Sequence, residues 1–471
     1  MSSSTLWGID GNLWKTDSRL PDFSRVGYKP SPPKSKVNIK DYGAIGDGKT
    51  DDTFAILKAV ESLSSGIIYF PPGKYVITQM ININKSIVLM GSEDETTFYM
   101  PKSLEEIYGN TATSTQNSQW ATSPAFINFK GQIPLDLSTK LCNVVKEAER
   151  GSEVLRVDNS SKLKVGDWIV VSMSDVKDSG ALVEKLLGNY EVCPLSFRGM
   201  KNVVRFVTTV SDSRKNRVVL SQRLPVSVES EWQTEIYKYS PTLSNAGIEN
   251  IIIEFAPSVY NGHLKEKGYN GLFFNNVSNS RVKNIVVINA DNAIWINNSY
   301  YCTVDKVVVK CTYDRSSKGM FGHHAITVSR GSQNLVQNFD IQQKYYHDIG
   351  LENFGMLNVY TKGKGVDLCM DHHKTCPHSN LMCDIDVGDG NRPFDSGGGE
   401  DLGPNTGAYA TFWNIRSKKE FELPPSNFGP LINFIAVKYN GVLPPNTQNW
   451  LIENIDPSLI TPSNIYDSMI L

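Results

Sequence analysis

The chain has 471 residues, of which 40% are hydrophobic and 20% are charged, and this is the composition of a globular protein with a large core. Its 47 basic and 49 acidic residues give a formal net charge of −2 at pH 7, whereas a nucleic-acid-binding protein normally has a basic excess. No run of about 18 apolar residues occurs, so we expect neither a transmembrane helix nor a membrane partner. Residues 1–5 lack the charged and apolar segments of a signal peptide.

The first 139 residues combine an irregular arm with the start of a regular β structure. Residues 1–36 are rich in serine, proline and other polar side chains, and we expect them to pack as an arm on the body. A short strand then runs into a glycine-rich turn, where Asp51 and Asp52 are good N-cap residues for a helix at about residues 53–63. We predict the first β coils, with this helix as their cap, over residues 37–139. The apolar face of the predicted helix consists of Phe54, Ile56, Leu57, Val60 and Leu63.

The middle of the chain has a different pattern. Apolar residues alternate with polar ones at residues 151–157, 165–171 and 217–220, and turn residues separate these segments. Such short alternating segments are typical of antiparallel strands. We therefore predict an inserted antiparallel β subdomain at residues 140–240.

After residue 240, short apolar runs recur and are punctuated by asparagine and glycine. Strands that begin near residues 272, 294, 326 and 350 are separated by 22, 32 and 24 residues. A period of this length without intervening helices is typical of a solenoid and argues against a doubly wound sheet. We predict an all-β fold, a right-handed parallel β-helix, in which asparagine side chains hydrogen-bond from coil to coil. Its main coils occupy residues 241–407, and the last coil with its C-terminal cap occupies residues 408–471.

The distribution of histidines indicates a catalytic or binding site, whereas that of the cysteines does not. Six of the seven histidines lie between residues 323 and 378, and histidine serves as acid, base or ligand near neutral pH. The seven cysteines contain no Cys-x-x-Cys pair, so a structural zinc site is not expected. Buried free thiols and one or two disulfides both fit this cysteine pattern.

Stacking of the coils brings distant residues together. Corresponding positions on neighbouring coils lie about 4.8 Å apart, so they form columns along the solenoid. Either of two columns can face a substrate. The column before the strands holds Asn270, Asp291 or Asn292, His324, His347 or Asp348, and Lys364. The column after the strands holds Asn276, Asn298, Arg330, Asn353, and Asp371 or His373.

Two N-terminal segments resemble a known signature. Residues 41–53 (Asp-Tyr-Gly-Ala-Ile-Gly-Asp-Gly-Lys-Thr-Asp-Asp-Thr), followed by residues 70–75 (Phe-Pro-Pro-Gly-Lys-Tyr), are similar to the start of proteins of the pectate-lyase-like superfamily. That superfamily includes polygalacturonases, polysaccharide lyases and phage tailspike depolymerases. The resemblance implies a right-handed parallel β-helix that binds carbohydrate along the outer face of one parallel sheet.

A hydrolase of polygalacturonase type is one activity that the resemblance implies. The polygalacturonase pattern has three carboxylates and a histidine in the first column, and Asp291 and His324 match it. Asn270 and Asn292 stand where the other two aspartates are expected, and an amide can act as neither acid nor base. A hydrolase would therefore need a relocated carboxylate pair, such as Asp348 with Asp371.

A lyase fits the residue types of the later coils better. β-Elimination from a uronic acid needs a base for the C5 proton and a cation that neutralises the carboxylate. His347 or His373 is the expected base, with Asp348 or Asp371 orienting it. The segment Asp371-His372-His373 also resembles the Asp-x-His of mannuronan epimerases, which begin with the same proton abstraction.

The leading prediction is a lyase that cleaves an acidic polysaccharide, with Arg330 or Lys364 as the neutralising cation. The alternatives are a hydrolase and a non-catalytic glycan-binding or adhesion protein. A polysaccharide partner implies an extracellular location. No cofactor is required, although the carboxylates of Asp384, Asp386, Asp389 and Asp395 offer an alternative with Ca²⁺. The predicted catalytic residues are His324, Arg330, His347, Asp348, Lys364, Asp371 and His373. The predicted substrate-binding residues are Asp291, His323, His372, Lys374, Arg392 and Trp295.

Overall fold

Coils of parallel β-strand, stacked along one axis, form the body of the protein. Most coils contribute one strand to a fifteen-stranded sheet, and those in the middle of the stack contribute a second strand to a seven-stranded sheet. The predicted all-β architecture is confirmed: a right-handed parallel β-helix with an inserted β subdomain and an N-terminal arm. The computed structural model describes residues 2–15, 19–29, 31–112, 116–176, 179–188 and 193–470.

Both sheets of the solenoid are parallel. The fifteen-stranded sheet consists of Lys36–Asn38, Asp47–Asp51, Ser65–Phe70, Gly73–Val76, Ser86–Gly91, Thr96–Met100, Gly247–Phe255, Arg281–Ile288, Thr303–Lys310, Leu335–Ile341, Val359–Gly365, Leu381–Asp386, Thr411–Arg416, Asn433–Val437 and Leu451–Glu453. The seven-stranded sheet consists of Ile81–Ile83, Ile127–Lys130, Asn270–Asn275, Asn292–Asn297, Gly322–Ser329, Tyr345–Glu352 and Met370–His372.

The insertion forms an antiparallel sheet of its own, and helices are few and short. The inserted sheet consists of Leu135–Asn143, Val154–Arg156, Trp168–Asp175, Val204–Arg214, Arg217–Leu220 and Trp232–Tyr239. Two further short strands, Ser2–Ser3 and Ile460–Thr461, pair in parallel. The α-helices are Thr53–Ser62, Leu104–Tyr108, Ala181–Leu187 and Ile465–Ile470, and the 3₁₀ helices are Leu13–Lys15, Ile39–Tyr42, Leu195–Phe197, Glu400–Leu402 and Ser426–Phe428. Within the described ranges, no helix has the length and apolarity needed to cross a bilayer.

The core is built by columns of apolar side chains that repeat at the same place in successive coils. In the seven-stranded sheet, one such column is fully in register and buried: Leu272, Ile294, Ile326, Ile349 and Met370. In the fifteen-stranded sheet Val307 pairs with Phe339, and Gly363 lies on the next coil. A Cβ at Gly363 would lie 1.9 Å from Phe339 Cζ, so the glycine makes room for the ring.

The capping helix Thr53–Ser62 differs from the prediction in which side chains it buries and in the role of its N-cap residue, Asp52. Phe54 is 78% exposed, whereas Ala55 and Ala59 are buried, because the small alanines let the helix approach the first coil closely. The Asp52 carboxylate makes no cap hydrogen bond and instead accepts from the backbone N–H of Ile45 and Gly46, at 2.6 and 3.0 Å. Asp52 therefore holds the glycine-rich turn in place.

All seven cysteines lie in described residues and are free thiols. Six of them are buried, and Cys311 is half-buried. Of the two interpretations of the cysteine pattern, buried free thiols are the one the structure shows.

Asparagine ladders tie the coils together, as expected. The side-chain amide of Asn334 donates to Asn358 Oδ1 at 3.0 Å, and that of Asn358 donates to Asn380 Oδ1 at 3.1 Å. Each of these oxygens also accepts from the backbone N–H of the preceding coil's asparagine. All three residues are buried. The ladder therefore satisfies polar groups that would otherwise be orphaned at this corner.

We expect Asn358→Ala to lower the free energy of unfolding by about 1–3 kcal/mol, because it leaves buried amide partners unsatisfied. Denaturant unfolding followed by circular dichroism measures this change. The matched control is Asn82→Ala, which alters an exposed strand asparagine and should change stability by less than about 0.5 kcal/mol. Equal effects of the two substitutions would contradict the role assigned to the ladder.

Candidate active site

The outer face of the seven-stranded sheet carries two columns of polar and aromatic side chains. Because side chains alternate along a strand, these columns lie between the positions that fill the core. The first column runs through Asn128, Phe273, Trp295, Thr327, Gly350 and Asp371. The second runs through Lys130, Asn275, Asn297, Ser329 and Glu352. The columns combine apolar rings with amides and hydroxyls, and Phe273 and Trp295 pack together with Ala125.

A third column, at the start of the strands, contributes two stacked imidazoles. His324 and His347 are in register, and their ring centroids lie 4.7 Å apart at an interplanar angle of 27°. Asn292 Oδ1 lies 2.9 Å from His324 Nδ1, and the Asn292 amide donates to Asn270 Oδ1 at 2.8 Å. His324 also packs edge-on against Trp295, at 4.6 Å between centroids. This column therefore reaches the outer face.

Asp371 lies between two histidines. Its Oδ2 is 2.8 Å from His373 Nδ1 and 2.9 Å from His347 Nδ1, and its Oδ1 accepts from the Gly397 backbone N–H at 2.9 Å. Burial alone would raise the pKa of Asp371, but the neighbouring imidazoles hold it well below its usual range. Burial lowers the pKa of His373, but the hydrogen bond to Asp371 and the charges of the nearby carboxylates together outweigh this effect, so that the pKa is raised. Asp371 is thus an ionised carboxylate that orients His373.

A loop closes over this carboxylate. A Cβ added to Gly397 would lie 2.3 Å from His373 Cε1 and 2.8 Å from His347 Cε1. Glycine at this position therefore lets the backbone rest directly on both imidazoles and donate to Asp371. The side chain of His373 remains 25% exposed, compared with 7% for His347. His373 is accordingly the more accessible histidine of the two.

Further polar groups border the cluster. His323 Nδ1 lies 2.8 Å from the Ala121 carbonyl oxygen and 3.3 Å from Glu266 Oε1, which also accepts from the Tyr260 hydroxyl at 2.7 Å. Burial raises the pKa of Glu266 to about 7. The exposed His263 packs edge-on against His323 at 4.6 Å between centroids.

Glu352 adds a further carboxyl group at the end of the second outer column, next to Ser329. Burial raises the pKa of Glu352, although the Ser329 hydroxyl and the charge of His373 partly offset this effect. Asp371 has a depressed pKa and Glu352 a raised one, so the two carboxyl groups are suited to opposite proton-transfer roles.

The structure brings together His323, His324, His347, Asp371 and His373 from the predicted set, with Trp295 in contact. It does not bring the predicted cations to them. Arg330 lines a small pocket beside Arg205 of the inserted sheet. Lys364 belongs to the fifteen-stranded sheet, where its Nζ lies 3.6 Å from Asp340. Lys374 follows His373 but donates to the Gly399 carbonyl oxygen at 3.1 Å, beside an open cleft of about 870 Å³.

Three other predicted residues, Asp291, Asp348 and His372, are buried and engaged in structural contacts. Asp291 accepts from Arg315 at 2.6 Å and from three successive backbone N–H groups at residues 267–269. Asp348 is paired with Arg392 and accepts from the Cys369 backbone N–H at 2.7 Å. Asp348 therefore cannot serve in the relocated carboxylate pair with Asp371. His372, on the opposite side of the strand from Asp371, packs against Phe412 and Phe428.

Sequence reasoning missed three members of the site. His263 and Glu266 lie outside the histidine-rich window, on a loop before the strand that begins at Asn270, and their close spacing was the only available signal. Glu352 ends a predicted strand, but its side-chain direction depended on the exact register of that strand.

Two groups in the described part of the chain have ligand atoms close enough to hold a metal ion. In each group these atoms lie within 4.8 Å of one another. The first group is His263, His323 and His347, and the second is His347, Asp371 and His373. The acidic residues suggested for Ca²⁺ are arranged differently: Asp384 is paired with Arg416 at 2.6 Å and Asp389 with Lys418 at 2.7 Å.

Comparison with known proteins gives one family model and several partial matches. A family model described as "Rhamnogalacturonase A/epimerase, pectate lyase-like" matches residues 36–204. Residues 36–204 are therefore similar to this pectate-lyase-like family, and the chain is folded as a parallel β-helix. Among solved structures, one described as "Geobacillus virus E2 - ORF18" aligns with 88% of this β-helix protein and 59% of its own chain, at 14% identity and a TM-score of 0.41.

The curated relatives are matched over less than half of their own length. "Plasmin and fibronectin-binding protein A" of Streptococcus pneumoniae is 22% identical over 310 residues, which is 61% of this β-helix protein and 40% of the relative. "Probable rhamnogalacturonase C" of Aspergillus niger is 41% identical over 59 residues, or 12% of this protein and 13% of the relative. The chain therefore spans less than half the length of each.

His378 lies within the histidine-rich window but outside the cluster. It is fully buried, and among the described residues its Nε2 has no hydrogen-bond partner. Burial lowers its pKa to about 3. An unfolded chain binds a proton on this residue below about pH 6.5, so the unfolded state gains protons first and stability falls on acidification.

We expect His378→Gln to weaken this acid sensitivity. Between pH 7.5 and pH 5 the native protein should lose about 2 kcal/mol through this one residue, and the variant should not. Thermal unfolding at both pH values measures the effect. At pH 7.5 the two proteins should differ in stability only through the change in packing. If this difference in stability is the same at pH 5, the acid sensitivity does not come from His378.

Proposed function

We propose that this protein is a lyase that cleaves an acidic polysaccharide by β-elimination, with His373 as the base. The observation that carries the proposal is the hydrogen bond between Asp371 Oδ2 and His373 Nδ1, formed on the outer face of the seven-stranded sheet. Because Nδ1 is held by the carboxylate, Nε2 is the nitrogen that faces a substrate. The family model named after a rhamnogalacturonase and an epimerase supports a polysaccharide as the substrate.

The reaction requires two proton transfers. His373 Nε2 takes the C5 proton of a uronic acid, the electron pair forms the C4–C5 double bond, and the bond from C4 to the glycosidic oxygen breaks. The leaving oxygen must then gain a proton, and Glu352, whose pKa is raised by burial, is the proposed donor. The unsaturated product and the shortened chain together contain all the atoms of the substrate.

A hydrolase is the second candidate, and the carboxyl pair of Glu352 and Asp371 favours it. Glycoside hydrolysis needs one protonated and one ionised carboxyl group, and burial and the neighbouring imidazoles separate the two pKa values in that sense. The curated relative named as a rhamnogalacturonase is consistent with this alternative. A protein that acts on polysaccharide in either way would work outside the cell.

Product analysis distinguishes these activities. With a panel of uronic-acid polysaccharides, we expect new chain ends to appear together with the ultraviolet absorbance of an unsaturated uronate. New reducing ends without that absorbance would establish the hydrolase instead. Binding to a polysaccharide without any new chain ends would favour the glycan-binding or adhesion alternative.

His373→Ala should reduce turnover by about 10²–10⁴-fold and leave substrate affinity largely unchanged, because it removes a proton-transfer group rather than a binding group. Steady-state kinetics on the cleaved polysaccharide measure both quantities. Lys364→Ala is the matched control, since Lys364 lies on the other sheet, and it should retain full activity. Near-native turnover of His373→Ala would exclude His373 as the base.

A further inference from the structure

We propose that His263, His323 and His347 bind one divalent transition-metal ion at the edge of the outer face. Their nearest ligand nitrogens lie within 4.8 Å of one another, and the three rings come from two separate coils and a loop. Three imidazoles converging on one point are a typical catalytic zinc set, because they leave a fourth position open. Imidazole ligands favour Zn²⁺, Cu²⁺, Ni²⁺ or Fe²⁺ over Ca²⁺ and Mg²⁺.

Carboxylates stand behind two of the three rings. Glu266 Oε1 lies 3.3 Å from His323 Nδ1, and Asp371 Oδ2 lies 2.9 Å from His347 Nδ1. In metal sites, a ligating histidine almost always has a carboxylate, carbonyl or water on its other nitrogen, which orients the ring and increases its basicity. With Nδ1 directed at the carboxylates, Nε2 of His323 and His347 is left for the ion.

Buried polar atoms without hydrogen-bond partners in the described residues lie at the three-histidine group. Neither ring nitrogen of His347 makes a hydrogen bond of good geometry within the described residues, although the side chain is only 7% exposed. Glu266 Oε2 is likewise buried without a partner in that part of the chain. Burying such groups without partners is costly, and an ion on His347 Nε2 would remove part of that cost.

The second candidate group is a weaker metal site. It would take Asp371 and His373 as ligands, but these two already form a hydrogen bond of 2.8 Å with each other. In the first group, His263 lies in an exposed turn, and its ring packs against those of His323 and His347. We therefore assign the ion to the three-histidine set and leave the Asp371–His373 pair for proton transfer.

The charge of the ion indicates which chemical group would bind at its open fourth position. This step rests on the proposed function. Three neutral imidazoles leave the ion's two positive charges uncompensated, so the open position suits an anionic oxygen such as a uronate carboxylate. Neither Arg330 nor Lys364 lies beside the cluster, and the ion would supply the neutralising charge that β-elimination requires.

Metal binding is tested on the full-length protein after dialysis against a chelator, with Co²⁺ as the probe. We expect one equivalent of Co²⁺ to bind with the visible absorption of a histidine-ligated ion, and Zn²⁺ to displace it. His263→Ala and His347→Gln should each weaken binding by at least about 10-fold, and Glu266→Gln by about 10–100-fold. His378→Gln is the control, because it changes a histidine outside the cluster and should bind Co²⁺ like the native protein.

The proposal is overturned if the native protein binds no stoichiometric Co²⁺, or if His263→Ala and His347→Gln both bind it with native affinity. Circular dichroism and thermal unfolding of each variant show whether it is folded. His263 is exposed, so its variant should keep the native melting temperature even if the His347 variant does not. Since binding is measured without substrate, failure of the lyase assay and failure of metal binding are separate results.

Discussion

The spacing between stacked coils determines where every side chain of the candidate site lies. Parallel strands are held about 4.8 Å apart by their backbone hydrogen bonds, so residues on neighbouring coils meet whenever their strands are in register. His324 and His347 meet for this reason, and Asp371 reaches them one coil later. The apolar column that includes Ile326 and Ile349 fixes this register, because a shift by one residue would turn its side chains out of the core.

Buried charge has two different uses in this structure. Asp291 with Arg315 and Asp348 with Arg392 are closed pairs, in which each carboxylate also accepts backbone N–H groups of a neighbouring segment. These pairs position the loops and offer no free group to a substrate. Asp371 is also buried, but its partners are imidazoles that can gain or lose a proton. Aspartate is therefore structural at residues 291 and 348 and suited to chemistry at residue 371.

The fold and the column before the strands could be predicted from the sequence, because both depend on the number of residues between successive strands. Asn270, Asn292, His324 and His347 align as expected from the coil spacing. Lys364 was assigned to the wrong sheet, since each coil has more than one apolar strand and spacing alone does not say which one a residue belongs to. Arg330 was placed near His347, but it lies in a left-handed turn after the strand and faces the insertion. Its neighbour Arg205 is distant in sequence, so no local pattern could indicate that contact.

Five imidazoles in one site would repel one another if all were charged, and their surroundings prevent this. Burial, followed by the charge of neighbouring histidines, lowers the pKa of His323 and His324. Partial burial of the ring and the same charges lower the pKa of His263, whose residue is exposed overall. His373 is the exception, because its hydrogen bond to Asp371 and the nearby carboxylate charges together more than compensate for burial, so that its pKa is raised. A neutral imidazole has a free lone pair, whereas an imidazole held by a carboxylate is a stronger base. The cluster therefore separates into rings suited to ligation and one ring suited to proton transfer, and the position of a single carboxylate makes that division.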